Sequence, residues 1–305
     1  MLRKITDDLS RSRNSALCAM VRDMRIPLIL LLSWLLPVTG CTVEESAQMD
    51  AGPAIADTAP TADPDASTWT PADLLIEDLA TPSRCPQHMI LIPESSGAFC
   101  IDQYESSTMR ILPTGGEEPW PFDRPVDGQT VRAVIRPGQK PQAYISAVQA
   151  SDACKRSGKR LCTETEWLSA CQGTAKNTYP YGTTYQKGAC NEGRATNPVN
   201  DCFGSGSGVF TYANMNSPCC VNQPSTLAVG GSFPQCKSDY GVFDLHGNLH
   251  EWIDATSASG NGVFKGGFFV DAKLNGSGCL YKTTAHAKSY HDYSTGFRCC
   301  ASASP

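Results

Sequence analysis

The chain has 305 residues, 25 Lys and Arg against 30 Asp and Glu, a net charge of −5 and 41% hydrophobic residues. That acidic balance, without a basic stretch interleaved with aromatic residues, excludes nucleic acid as a natural partner. Fifteen cysteines argue against a reducing compartment and for an exported chain held by disulfides.

Read in order, Met24-Arg25 precedes IPLILLLSWLLPV, an apolar run too short to span a bilayer but of the length of a secretory signal core. Residues 1–23 lie upstream of the natural start of such a signal and read as an over-extension, with Met24 as the start. The run ends in Val38-Thr39-Gly40-Cys41. Small residues before a cysteine resemble the bacterial lipobox, so 24–40 is read as a lipoprotein signal and Cys41 as the lipidated residue. Thr42 in place of Asp points to the outer membrane of a bacterial cell envelope. From Thr42 to Arg84 the chain carries nine acidic residues and Arg84 as its lone cation. With so little apolar surface to bury, 41–84 is expected to be a disordered tether. Within it, PADLLIEDL at 71–79 has the pattern of one or two amphipathic turns.

The remaining residues, 85–305, suit one domain. Thirteen cysteines follow Cys41; with no CxxC pair beside suitable histidines, they read as disulfides rather than a zinc site, and the odd number leaves one thiol over. Cys85 and Cys100 flank MILIPESSGAF, a hairpin by pattern that the pair is placed to clip. A loop-rich stretch runs through Pro141. Apolar spacing predicts a first helix over 143–157, capped by Gly158. Thr163 and Glu166 form a capping box that starts a second helix, Glu164 to Cys171, with Trp167 and Leu168 toward the core. A long region of turns follows with cysteines at 190, 202, 219, 220 and 236, whose pairing the sequence leaves open. In YGVFDLHGNLHEW, Asp244, Gly247 and Glu251 share one short loop, either as calcium ligands or as solvated acids in a turn.

These landmarks, CPQHMILIPESSGAFCIDQYE, GKRLCTETEWLSACQG, YPYG with CNEGR, GVFDLHGNLHEW, KGGFF and GFRCC, resemble in order and spacing the formylglycine-generating enzyme or sulfatase-modifying factor domain family, across residues 85–302. The resemblance implies an α+β, irregular and loop-rich fold of the C-type-lectin-like kind, with two short helices, small antiparallel sheets and disulfide staples. It implies calcium held by the side chains of Asp244 and Glu251 and the carbonyls of Gly247 and Leu249, and places Asn191 at a second calcium site. It also implies the disulfides Cys154–Cys299 and Cys171–Cys279; Cys162 and Cys300 are extra to the family's enzymes and are expected to pair with each other.

In those enzymes the glycine pair matching Gly266-Gly267 is followed by a serine and by two copper-binding cysteines. Here Phe268 replaces the serine, and the two cysteine positions fall at Asp271 and Gly276. No copper and no sulfatase activation are expected, because a thiol already bridged cannot ligate a metal. Three functions then compete: a lipid-anchored, non-catalytic domain that binds a protein, peptide or glycan; an oxidoreductase of altered metal or oxygen chemistry using His246, His250, His286 or His291; and a structural scaffold of an envelope machine. The former cleft at Gly266, Gly267, Phe268 and His250 decides between binding and scaffold. An open polar cleft suits a diffusible ligand, and one plugged by Phe268 or Phe269 suits a scaffold.

Overall fold

Strands β1 (Met89–Ile92) and β2 (Phe99–Asp102) pair antiparallel, Met89 opposite Asp102 and Ile92 opposite Phe99, and the Cys85–Cys100 disulfide ties the segment before β1 to β2. This computed structural model describes residues 84–304, residue 96 excepted. The signal segment, Cys41 and the tether lie outside the described residues. Among the described residues no helix is long and apolar enough to cross a membrane.

The next segment departs from the loop expected up to Pro141. β3 (Ser107–Ile111), β4 (Glu117–Pro119) and β5 (Val131–Val134) form a three-stranded antiparallel sheet with β3 in the middle. Cross-strand pairs stitch its solvent side: Arg110 to Glu118, and Arg132 to Glu117 at 2.6 Å. Helix α1 spans Ala147–Lys155, shorter than the predicted 143–157. Its start is fixed by Ser146, which accepts from the Gln149 amide while the Gln149 side chain accepts from Ser146 N–H. Tyr144 therefore lies before the helix, at φ 55°, and sends its hydroxyl to Ser217 O. The buried stripe is Ala147, Ala150, Ala153 and Cys154, while the apolar Val148 is 51% exposed.

After β6 (Arg160–Leu161), α2 spans Glu164–Gln172 with the Thr163/Glu166 capping box in place. Trp167 is fully buried, and Leu168 packs part-buried against the same core. The described chain carries four short α-helices rather than two. The extra pair, α3 (Pro198–Phe203) and α4 (Tyr212–Met215), stands in the turn-rich region. Asn197 caps α3 with proline at its first position, a legitimate start signal in a helix too short to show periodicity.

The second sheet runs β10 (Thr295–Phe297), β7 (His250–Thr256), β8 (Gly262–Lys265), β9 (Lys282–Thr283); its pairs are antiparallel as expected except β10–β7, which is parallel. The last strand, β11 (Cys299–Ser302), inserts between β2 and β6 and completes the first sheet. α1 packs on Trp252, Phe264 and Phe297 of the second sheet, and Trp167 of α2 packs with Ile92, Ile101, Leu245 and Ile253. Six disulfides span these pieces. Cys154–Cys299, Cys162–Cys300, Cys171–Cys279 and Cys85–Cys100 are present, and the undecided cysteines resolve into Cys190–Cys236 and Cys202–Cys219. Cys220 bridges nothing, although its neighbour does; burial pushes its thiol up to about 12.

Candidate functional site

The loop between Asp244 and Glu251 is shaped by left-handed backbone at Asp244 (φ 61°), Gly247 (φ 80°) and Asn248 (φ 56°). A Cβ at Gly247 would lie 2.2 Å from Asn191 O, so only glycine fits there. Asn191 O accepts from Asn248 N at 2.8 Å, and the Asn191 side-chain amide donates to Thr226 O and to Asn248 Oδ1. Asn191 thus braces this loop, and no second acidic set gathers around it among the described residues.

Glu251 is met by the guanidinium of Arg298, Nε to Oε2 and Nη2 to Oε1, both at 2.6 Å, and by Trp167 Nε1 at 2.8 Å. Both partners of the ion pair are 1% exposed. Arg298 also donates to Asp102 O and Phe243 O. Two further buried carboxylates face the same guanidinium. Glu105 accepts from Leu249 N at 3.0 Å and from the Asn248 amide, and Asp244 accepts from Gly231 N at 2.7 Å. Burial, then the charges of Asp244 and Glu251, raise Glu105 well above the carboxylate range; burial above all raises Asp244 to about 6. Three buried carboxyl groups thus surround one guanidinium, and Arg298 already occupies both oxygens of Glu251. Glu105 and Arg298 are the functional-loop residues that sequence reasoning missed.

On the other side of β8, Gly266 and Gly267 both take positive φ. A Cβ at Gly267 would lie 2.4 Å from Ala272 Cα, so the following turn packs directly on its backbone. In that turn Phe268 N bonds Asp271 O, and the Asp271 carboxylate accepts from Lys273 N and Leu274 N. Its other oxygen accepts from Tyr281 OH at 3.0 Å, which in turn meets His250 Nε2 at 3.1 Å; His250 Nδ1 faces Ser294 Oγ. Asp271, at the first of the two cysteine positions, is thus a structural brace for the turn. Burial lowers His250 to about 3, so it is a neutral imidazole.

The rings that follow Gly267 pack inward, and Phe269 also lines a cavity of about 490 Å³ with Asn191, Arg194 and Phe233. Phe268 is 8% exposed and Phe269 fully buried, with the Phe268 ring 4.8 Å from His250, 5.3 Å from Phe269 and 5.9 Å from Tyr293. Tyr281 is buried as well, and Cys279 is tied to Cys171. The four histidines do not converge. His286 stacks on Tyr290, His291 meets Tyr212, Asn216 and Asp127, and His246 sits edge-on to Tyr179 with neither ring nitrogen bonded. Among the described residues no group of three or more His, Cys, Asp or Glu is arranged to hold a metal ion.

A model of the sulfatase-modifying factor enzyme 1-like domain matches residues 85–303. Two curated relatives, each named "Inactive C-alpha-formylglycine-generating enzyme 2", from Mus musculus and Bos taurus, are 26% identical over 170 residues, covering 53% of this chain and 49% and 50% of theirs. The chain therefore spans about half the length of the curated relatives it matches. Among solved structures, "Crystal Structure of CarF" aligns with a TM-score of 0.40 and 16% identity over 67% of this chain and 86% of that one. "Major Tropism Determinant I1 Variant" aligns with a TM-score of 0.40 and 14% identity over 72% of this chain and 54% of that one. At that level of similarity neither structure bears on chemistry.

Proposed function

Because the chain belongs to the sulfatase-modifying factor enzyme 1-like family, we propose that it is a non-catalytic member, anchored to the bacterial envelope through lipid on Cys41, whose domain serves as a fixed docking body for a protein partner. The observation that carries this reading is the former cleft. Asp271 stands at the position where the resemblance puts a redox thiol, and Phe268 is buried beside His250 and Phe269. A thiolate is both the nucleophile and the copper ligand in such chemistry, and a carboxylate spent on Tyr281 and two turn amides supplies neither. The inactive relatives are consistent with it. The inward packing of Phe268 and Phe269 is what favours a protein partner over a diffusible peptide or glycan.

Incubated with copper, oxygen and a cysteine-containing sulfatase peptide, the purified chain is expected to form no aldehyde by mass spectrometry. Crosslinking in intact cells is expected to trap it with one protein at fixed stoichiometry. Peptide oxidation, or a chain recovered only as free monomer, would overturn the reading.

Calcium belongs to the same proposal as a structural ion. Asp244, Glu251 and the carbonyls of Gly247 and Leu249 would hold it, and it would offset the buried charge of Asp244 and Glu251. Calcium at a hundredfold above its Kd is expected to add about 2.7 kcal/mol to stability, read as a higher melting temperature than in chelator. Identical melting in calcium and in chelator sinks this part.

A further inference from the structure

The three-stranded sheet builds a groove that none of the above uses. It has a volume of about 330 Å³ and lies between the sheet and the 136–142 segment, with Trp120 and Phe122 as its walls and Arg136 and Lys140 at its rim. Its floor is chemically spent: Ser107 Oγ donates to Lys140 O, Thr108 Oγ1 to Gln142 Oε1, and Gln142 Nε2 to Ala143 O and Arg124 O. The other cations of the sheet are spent as well, Arg110 on Glu118 and Arg132 on Glu117.

Arg136 and Lys140 differ. Neither has an ion pair among the described residues, and Lys140 lies over the Phe122 ring at 4.9 Å. Burial lowers Lys140, with Asp123 the only charge that opposes the shift. A half-buried cation that forms no ion pair gains most when an anion arrives with an apolar body that excludes water. The groove therefore selects an acidic, aliphatic segment.

The chain carries one at the right place. The described domain begins at Arg84, which exchanges backbone and side-chain bonds with Ser304, and the adjoining Cys85–Cys100 cluster packs against Ile135, the residue before Arg136. Arg84, where the described residues begin, thus stands on the side of the domain that carries the groove. PADLLIEDL at 71–79 combines Leu74, Leu75, Ile76 and Leu79 with Asp73, Glu77 and Asp78. The five residues from Leu79 to Arg84 reach about 17 Å when extended. Covalent linkage makes the segment's effective concentration millimolar, enough for a weak site to be filled.

We propose that residues 71–79 dock in the groove of Trp120, Phe122, Arg136 and Lys140, so that the tether is strapped to the domain at its root. This rests on the charge and shape of the groove and holds whether or not the domain is catalytic.

Hydrogen–deuterium exchange of the full chain tests it. Amides 73–79 are expected to exchange at least tenfold more slowly in the wild type than in Arg136→Glu/Lys140→Glu, while β3 and β5 amides keep their protection. Asp73→Lys/Glu77→Lys/Asp78→Lys, which leaves the domain untouched, is expected to lose the same protection. Combining the two sets restores the opposite-charge contact and is expected to recover it. Equal exchange of 73–79 in the wild type and in the tether variant overturns the proposal, and so does protection that survives charge reversal on either side or fails to return in the combination.

Discussion

Removing either Cys154–Cys299 or Cys162–Cys300 alone is expected to cost about 2.6 kcal/mol, and removing both about 6 kcal/mol, more than the sum of the two. The reason lies in the loops. The first bridge spans 145 residues and the second 138, but Cys171–Cys279 is nested inside both, so either one closes a ring of only about 30 to 37 steps through that bridge. While one remains, the other adds a smaller ring still, eight steps from Cys154 to Cys162 and one from Cys299 to Cys300. In the chain-entropy model a ring of about nine residues is worth roughly 2.6 kcal/mol and one of about 30 to 37 roughly 3.7 kcal/mol. The combined loss is comparable to the total stability of an ordinary domain, about 5–15 kcal/mol. Urea unfolding of the two alanine pairs and of the quadruple variant, other disulfides kept oxidised, measures it. Simple additivity of the two pairs would show that the bridges act through packing alone.

Arg298→Met is expected to destabilise the domain by about 4 kcal/mol, the range for breaking a buried ion pair by removing one partner. Glu251 would keep only Trp167 Nε1, and Glu105 and Asp244 would lose the cation that offsets them. Adding Glu251→Gln removes one uncompensated charge and is expected to return a large part of the loss, because a neutral amide still accepts from the indole. Equilibrium unfolding of the two single variants and the double variant reads the coupling. A loss under 1 kcal/mol in Arg298→Met would mean that the guanidinium is dispensable to the loop.

What the sequence made legible was local or family-ordered. The α2 start needed only Thr163 and Glu166, three residues apart, and the structure carries that cap. The α+β, disulfide-stapled fold followed from six landmarks in order. The β3–β4–β5 sheet was illegible because its strands are three to five residues long and their stitching is charged, Arg110 with Glu118 and Arg132 with Glu117; short polar strands leave no alternating apolar signal. Glu105 stayed hidden for another reason. Its partners Asn248 and Leu249 lie 143 and 144 positions away, and nothing around Glu105 marks it as buried. Arg298 sat in view within GFRCC, but the flanking cysteines drew the reading and its carboxylate, 47 positions upstream, did not. Phe268 was flagged as a departure; whether it filled the cleft was a question of volume, which pattern does not encode.

Arg298, Cys299 and Cys300 are consecutive, and they fasten three distant places: the Glu251 carboxylate, helix α1 and the segment after β6. All three fastenings are made through this one tripeptide. Neither the first sheet nor the buried guanidinium site can close before it is present, so segments far apart along the chain wait on a single short stretch, and its two thiols need an oxidant before the lock is complete.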